Sequence, residues 1–285
     1  PLNTSGLSAE GASNTPITWM IAALSSTVAI PFFALASTAP LIQHWFSHSG
    51  KIARNPYPLY STSNIGSVLA LLSYPVWLEW QFDLHAQTML WSWGLAVVMC
   101  VLALSGGYAL REWYHSQRED SNNVQKTINW RTRFIWVFFS FLPCSLMMGV
   151  TTYITTDIAS TPLFWIVPLF IYLLSLILVF AEKPPSIVER SKKSILQFSL
   201  IVGCVMLVKS QLPIAAVLLH LFLQFSLSIA CHHEVVKHKP HKQHLSEFYL
   251  LMSLGGALGG IFNVLIAPVI FISPLEYPLT LAASL

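Results

Sequence analysis

Phe248-Tyr249-Leu250-Leu251-Met252-Ser253-Leu254-Gly255-Gly256-Ala257-Leu258-Gly259 echoes a stretch that lies far upstream of it. The earlier stretch is Leu59-Tyr60-Ser61-Thr62-Ser63-Asn64-Ile65-Gly66-Ser67-Val68-Leu69-Ala70. Tyr60, Gly66 and Leu69 take the places of Tyr249, Gly255 and Leu258, and small residues coincide at two further positions. Self-similarity inside a chain points to duplicated architecture. What the duplication means depends on how many segments separate the copies and in which direction each runs.

Composition sets the class of those segments. Charged residues are 9% of the 285 and hydrophobic ones 54%; a soluble domain carries about 25% charged residues, so little of this surface is built for water. A bilayer span needs about 20 mostly apolar residues. Eight runs qualify: 17–46, 58–78, 86–110, 134–156, 158–181, 195–209, 212–231 and 248–272, with a further span starting near 277. Residues 1–16 form a polar lead. Pro31 and Pro40 predict a kink or break in the first span. The sixth and seventh are short, joined through Lys209 and Pro213, and read as two tilted spans; a re-entrant pair is the alternative.

The basic residues orient the chain. Lys51 and Arg54 follow the first span; Arg111, Arg118, Lys126, Arg131 and Arg133 follow the third. Lys183, Arg190, Lys192 and Lys193 follow the fifth, and Lys237, Lys239 and Lys242 the seventh. Only Lys209 among the 15 lies on the other side. Cytoplasmic loops hold the excess of Lys and Arg, so these four gaps face the cytoplasm and the lead is external. Merging or splitting any span would break the alternation. A net charge of +3 spread over membrane loops gives no reason to invoke nucleic acid. Cys100, Cys144, Cys204 and Cys231 have no paired spacing and read as small apolar residues, with neither a disulfide nor a metal expected. Trp19, Trp45, Trp77, Trp80 and Trp130 read as interface anchors.

With this orientation the two repeat copies run the same way, six spans apart. Halves of six helices related about the membrane normal are the plan of major facilitator transporters. The fold expected is therefore an all-α polytopic transmembrane helix bundle of about eight spans, major facilitator-like and truncated at both ends. In that register the first span is the fourth of twelve, and the twelfth begins near Tyr277.

Several stretches resemble a bacterial family of membrane domains fused to a spermidine-synthase-like (aminopropyltransferase-like) domain. They include Pro31 to Leu41 with Gln43-His44-Trp45-Phe46, Asn55-Pro56-Tyr57, Ser63 to Ser67, Gly149 to Ile158, Cys231-His232-His233-Glu234, Glu247-Phe248-Tyr249, Met252 to Gly256 and Glu276 to Leu279. His44 and His233 depart from the pattern, where Arg and Gly are expected. The resemblance implies an inner-membrane location, and a soluble synthase-like domain or membrane subunits as partners beside the lipid bilayer. It also makes a polyamine-like cation the first solute to consider. This chain has no glycine-rich loop after a strand to hold a nucleoside cofactor, so no cofactor is expected and aminopropyl transfer is not expected of it alone. A non-transporting scaffold for a soluble enzyme domain is the competing reading.

Candidate site residues follow from polarity inside apolar runs. Asp157 closes a run that contains Thr152, Tyr153 and Thr156 at the outer end of the fourth span. A carboxylate at membrane depth costs about 2.5–3.5 kcal/mol on insertion scales and tends to face a cavity; capping the fifth span is the alternative role. Gln43, with Ser37 and Thr38, and His220 with Gln224 would face the same cavity in the major facilitator register, or hydrogen-bond between helices. Gly66 and the overlapping pairs Gly255/Gly259 and Gly256/Gly260 are expected to let helices approach closely. His232, His233, His238, His241 and His244, interleaved with lysines, read as a solvated cytoplasmic face rather than a metal cluster. Reporter fusions after Ser49, Asn122, Ser186 and His238 should therefore report the cytoplasm and a fusion at Asp83 the outside; the reverse pattern would overturn the orientation.

Overall fold

The computed structural model describes residues 16–48, 56–116, 128–158, 163–181, 186, 213–240, 244–271 and 276–283. The sixth expected span, the lead up to residue 15, Arg54, and His241 with Lys242 lie outside the described residues. Within them all regular structure is helical and no strand occurs. The helices are α1 (Pro16–His48), α2 (Tyr57–Ser73), α3 (Leu84–Ser116), α4 (Trp130–Tyr153), α5 (Ile166–Phe180), α6 (Pro213–Lys237), α7 (Leu245–Ile261) and α8 (Glu276–Ala283). Four segments are long and apolar enough to cross a bilayer: Leu84–Arg111, Trp130–Thr156, Ala215–Lys237 and Leu245–Ile270. The pair Thr18–Ser26 and Val28–Phe46 makes a fifth if it is one bent span. The break falls at Thr27, the residue whose carbonyl a helical Pro31 ring strikes.

Two compact units divide the chain, one of Pro1–Arg54 with Trp77–Glu119 and one of Asn55–Val76 with Asp120–Leu285. In the first, α1 packs on α3. The Trp45 indole lies against Gly106, its ring edge 3.0 Å from where a Cβ would stand. Trp45 thus packs on a neighbouring helix, while Trp80 and Trp130 are exposed as expected of anchors.

The second unit is built around α4, which packs on α5, α6, α7 and α8. In a bilayer, lipid tails are as apolar as leucine, so close contact and hydrogen bonds decide which helix surfaces meet. The α4–α7 seam shows this. A Cβ at Gly255 would strike the Val137 carbonyl oxygen, and one at Gly259 would come within 2.8 Å of the Phe141 carbonyl oxygen. Both helices present residues four apart, so the two rows mesh along one line. Gly66, Gly256 and Gly260 have no atom within 4 Å of a Cβ position; the close approach is made by Gly255 and Gly259, with a further one at Gly149 against Tyr277.

Around the starts of α2 and α7, Trp136, Phe248, Tyr249, Tyr57, Val235 and Phe180 share one buried cluster. Its polar edges hold the loop after α6. Tyr57 Oη donates to the Pro240 carbonyl at 2.6 Å, and Trp136 Nε1 to the His238 carbonyl at 3.0 Å. Lys239 Nζ sits 4.9 Å from the Tyr57 ring centroid, and Arg133 pairs with Glu247.

Three helices, α2, α4 and α7, each widen into a five-residue π turn at Tyr74–Leu78, Ile154–Ile158 and Phe262–Ile266. Pro75 lies inside the first and Pro268 just beyond the third; a residue without an N–H favours such a register change. At the second, the Thr151, Thr155 and Thr156 hydroxyls donate to the carbonyls of Met147, Thr151 and Thr152, a back-bonding that bends helices.

Two expected boundaries move. The fifth helix begins at Ile166 rather than 158, after Trp165, which makes no side-chain cap. The N-cap position of this helix is held by Trp165 and not by Asp157. α6 runs on to Lys237 rather than ending at 231, which takes Cys231 and His232 out of the solvated loop and buries both. Lipid-facing and protein-facing residues are equally apolar here, so hydropathy alone does not fix where a helix ends.

The seam gives a paired test. Gly255→Ala should lower the thermal unfolding midpoint in detergent, by the equivalent of about 1–3 kcal/mol for an overpacked contact. Gly256→Ala, with open space around it, should leave stability unchanged or raise it by about 0.5–1 kcal/mol through helix propensity alone. Equal effects would remove the seam from this account.

Candidate functional site

α6 carries polar residues one turn apart at His220, Gln224, Ser228 and His232, all at most 1% exposed. Residues four apart stack on one helix face, so the four form a slanted polar ridge inside a helix otherwise rich in leucine and phenylalanine. The ridge begins at α8 and α4. His220 Nδ1 is 2.7 Å from Tyr277 Oη, and the Tyr153 ring centroid lies 4.5 Å from the imidazole. One turn on, Gln224 Nε2 donates to the Pro168 carbonyl of α5 at 2.8 Å. At the far end, His232 Nδ1 is 2.9 Å from Ser175 Oγ, and Tyr172 meets the His232 ring edge-on.

The ridge is incompletely satisfied. His220 Nε2, Gln224 Oε1 and Ser228 Oγ are buried without a hydrogen-bond partner among the described residues. Each such atom costs about 1–3 kcal/mol unless water or a ligand fills the place. A second polar group nearby shows the contrast. Asn263 Nδ2 donates to Ser145 Oγ at 2.6 Å, the Ser145 hydroxyl meets Thr280 Oγ1 at 3.0 Å, and Thr280 Oγ1 donates to the Glu276 carbonyl. That network joins α4, the turn after α7 and α8, and each of its three members is bonded to the next.

Of the candidate residues, His220, Gln224 and Tyr153 belong to this one neighbourhood. Thr152 and Thr156 are exposed, and the Thr156 hydroxyl is spent on the Thr152 carbonyl. Gln43 is buried in the first unit, with Oε1 unpaired. Asp157 falls in the π turn after α4; its side chain lies outside the described residues. A carboxylate in a helix's last turn opposes the helix dipole, a cost of about 0.3–1 kcal/mol, so helix stability does not explain an acid there. Sequence reasoning missed Tyr277, Ser175, Ser228 and His232. The four-residue spacing from His220 to His232 was the available signal for the last two; Tyr277 and Ser175 come from other helices and left none.

Among the described residues no group of three His, Cys, Asp or Glu is arranged to hold a metal ion. No family model, curated protein or solved structure matches the chain.

Among the described residues Tyr277 is the one hydrogen-bond partner of the His220 ring nitrogens. Tyr277→Phe should therefore cost about 1–3 kcal/mol, the penalty for a buried nitrogen left unpaired, read as a lower unfolding midpoint. An unchanged midpoint would mean that the bond is not made.

Proposed function

We propose that this chain is the membrane domain of a small-solute carrier of major facilitator-like architecture, within a bacterial inner-membrane protein of the spermidine-synthase-like fused kind. The observation that carries this reading is the ridge. Polar atoms buried without partners in a spanning helix are costly, and intramembrane polar residues mark solute or ion pathways by default. A solute with N–H donors suits Gln224 Oε1, and Asp157, in the turn after the helix that carries Tyr153, would balance a positive charge. A cationic amine satisfies both.

The repeat supports the architecture from separate residues. α2 and α7 are each 17 residues long and each gives way to a five-residue π turn. Their matched tyrosines, Tyr60 and Tyr249, stack on one another with ring centroids 5.3 Å apart and planes 24° from parallel. In a two-fold arrangement a residue touches its own equivalent only near the axis, which is where this stack would lie.

The full-length protein in vesicles, supplied with radiolabelled 1,4-diaminobutane, tests the reading. Wild type should bind or accumulate the amine. Asp157→Asn should reduce that at least tenfold while the protein stays monodisperse, because a desolvated charge contact contributes about 2–5 kcal/mol. Wild-type uptake in the variant removes Asp157 from the site. No uptake by wild type across several diamines favours the scaffold instead.

A further inference from the structure

We propose that the α6 ridge holds a file of water and conducts protons between Tyr277–His220 at its outer end and His232 at its cytoplasmic end. Hydrogen-bond bookkeeping assigns a direction to the file. Tyr277 is 2% exposed, and its hydroxyl has His220 Nδ1 as its protein partner. In the proposed path the His220 tautomer is the one in which Tyr277 O–H donates to Nδ1. The ring's own hydrogen then sits on Nε2, the atom left unpaired, as a donor into the ridge.

At the other end the logic reverses. Ser175 Oγ lies 2.6 Å from the Tyr172 carbonyl, which only accepts, so the hydroxyl's one proton is spent there. The 2.9 Å contact with His232 is then made by Nδ1–H, and His232 Nε2 keeps a lone pair. One histidine offers a proton and the other can take one.

Between them stand Gln224 Oε1 and Ser228 Oγ, both unpaired. Successive ridge residues are about 6 Å apart along the helix, four steps of 1.5 Å. One water making two hydrogen bonds of about 2.8–3.0 Å spans that gap, and a buried water wants two to four polar partners. The remaining buried unpaired atoms, on Gln43, Ser140, Ser226, Tyr249 and His244, do not form such a series.

Transfer balances without an external reagent. A proton arrives at Tyr277 Oη, the phenolic proton passes to His220 Nδ1, and the Nε2 proton leaves into the water file. A proton is delivered at the far end to His232 Nε2, and the ring becomes imidazolium until it releases one. His220, left with its hydrogen on Nδ1, must return to its first tautomer before the next transfer. Tyr153 and Tyr277 face His220, Tyr172 faces His232, and Glu234 lies two residues beyond His232 on the cytoplasmic side.

The full-length protein in vesicles with a trapped pH-sensitive dye tests the path. After an external acid pulse, wild-type vesicles should acidify faster than protein-free ones. Ser228→Ala and Gln224→Leu should each slow that flux at least tenfold. Ser228→Ala is the deciding variant, because removing an unpaired hydroxyl does not threaten folding. If the ridge is only packing, it changes nothing. Wild-type flux no faster than protein-free vesicles, or undiminished flux in Ser228→Ala, overturns the proposal. Diaminobutane uptake measured in the same vesicles separates the two readings: uptake without proton flux overturns this one and leaves the solute site standing.

Discussion

The seam at Gly255 and Gly259 sets the position of everything else in the second unit. Backbone oxygens of Val137 and Phe141 occupy the space that side chains would need, so α4 and α7 meet in one register. The Cβ atoms of Ser140 and Cys144 line the same seam, 2.9 and 3.1 Å from where the Cβ atoms of Gly255 and Gly259 would stand. With α4 fixed there, its next turns follow. Ser145 reaches Asn263 and Thr280, Gly149 takes the Tyr277 backbone and ring, and Tyr153 arrives against His220. Each contact lies one turn beyond the last, from the seam outward to the ridge. A helix pair held by sub-van der Waals tolerance at one end thus sets the aromatic ring that meets the imidazole at the other.

Much of this was legible in sequence, and the part that was not has a physical cause. Apolar length and the alternation of lysine and arginine mark α1, α3, α4, α6 and α7 well, because insertion and orientation act on single segments. Pro31 marks its break for the same local reason. The start of α5 and the end of α6 are different. Whether the chain coils at 158 or continues helically past Cys231 depends on neighbours, such as Ser175 and Tyr172 closing on His232, and no window of sequence contains them. The glycines show the same limit. Gly255 and Gly256 are adjacent and chemically identical, yet one meets a carbonyl and the other open space. Helix rotation decides that, and rotation is set by α4.

The two polar groups of this unit draw a distinction between structural and functional polarity. Ser145 and Thr280 are buried as the ridge is and Asn263 is half-buried, but each passes a hydrogen to the next and the last passes it to a backbone carbonyl. Such a closed chain fixes helix positions and asks for nothing more. The α6 ridge begins and ends in hydrogen bonds to other helices and is open in the middle. Its ends are held, so the orientation of both imidazoles is defined. At its centre Gln224 Oε1 and Ser228 Oγ have no hydrogen-bond partner among the described residues, a cost that water or a ligand would offset. Packing alone would have been served better by leucine at 224 and alanine at 228.

Under the proposed function, the two ends of the ridge are not equivalent. The cytoplasmic end lies beneath an aromatic cluster in which Tyr60 stacks on Tyr249 and Tyr57 meets Phe248 edge-on. Above it the loop is tied down by Tyr57 and Trp136, each donating to a carbonyl of residues 238–240. These are neutral hydrogen bonds to backbone, worth about 0.5–1.5 kcal/mol each, small enough to break in a conformational step and enough together to bias it. The opposite end is framed by π turns after α4 and α7, where the helical ladder changes register. Access from outside would need little rearrangement, whereas access from the cytoplasm would require the loop after α6 to lift and the Tyr60–Tyr249 stack to part. On that reading the described arrangement would be the outward-biased member of the pair of states that a carrier must have, and the stacked tyrosines, matched in the proposed repeat, would be the contact whose separation opens the other side.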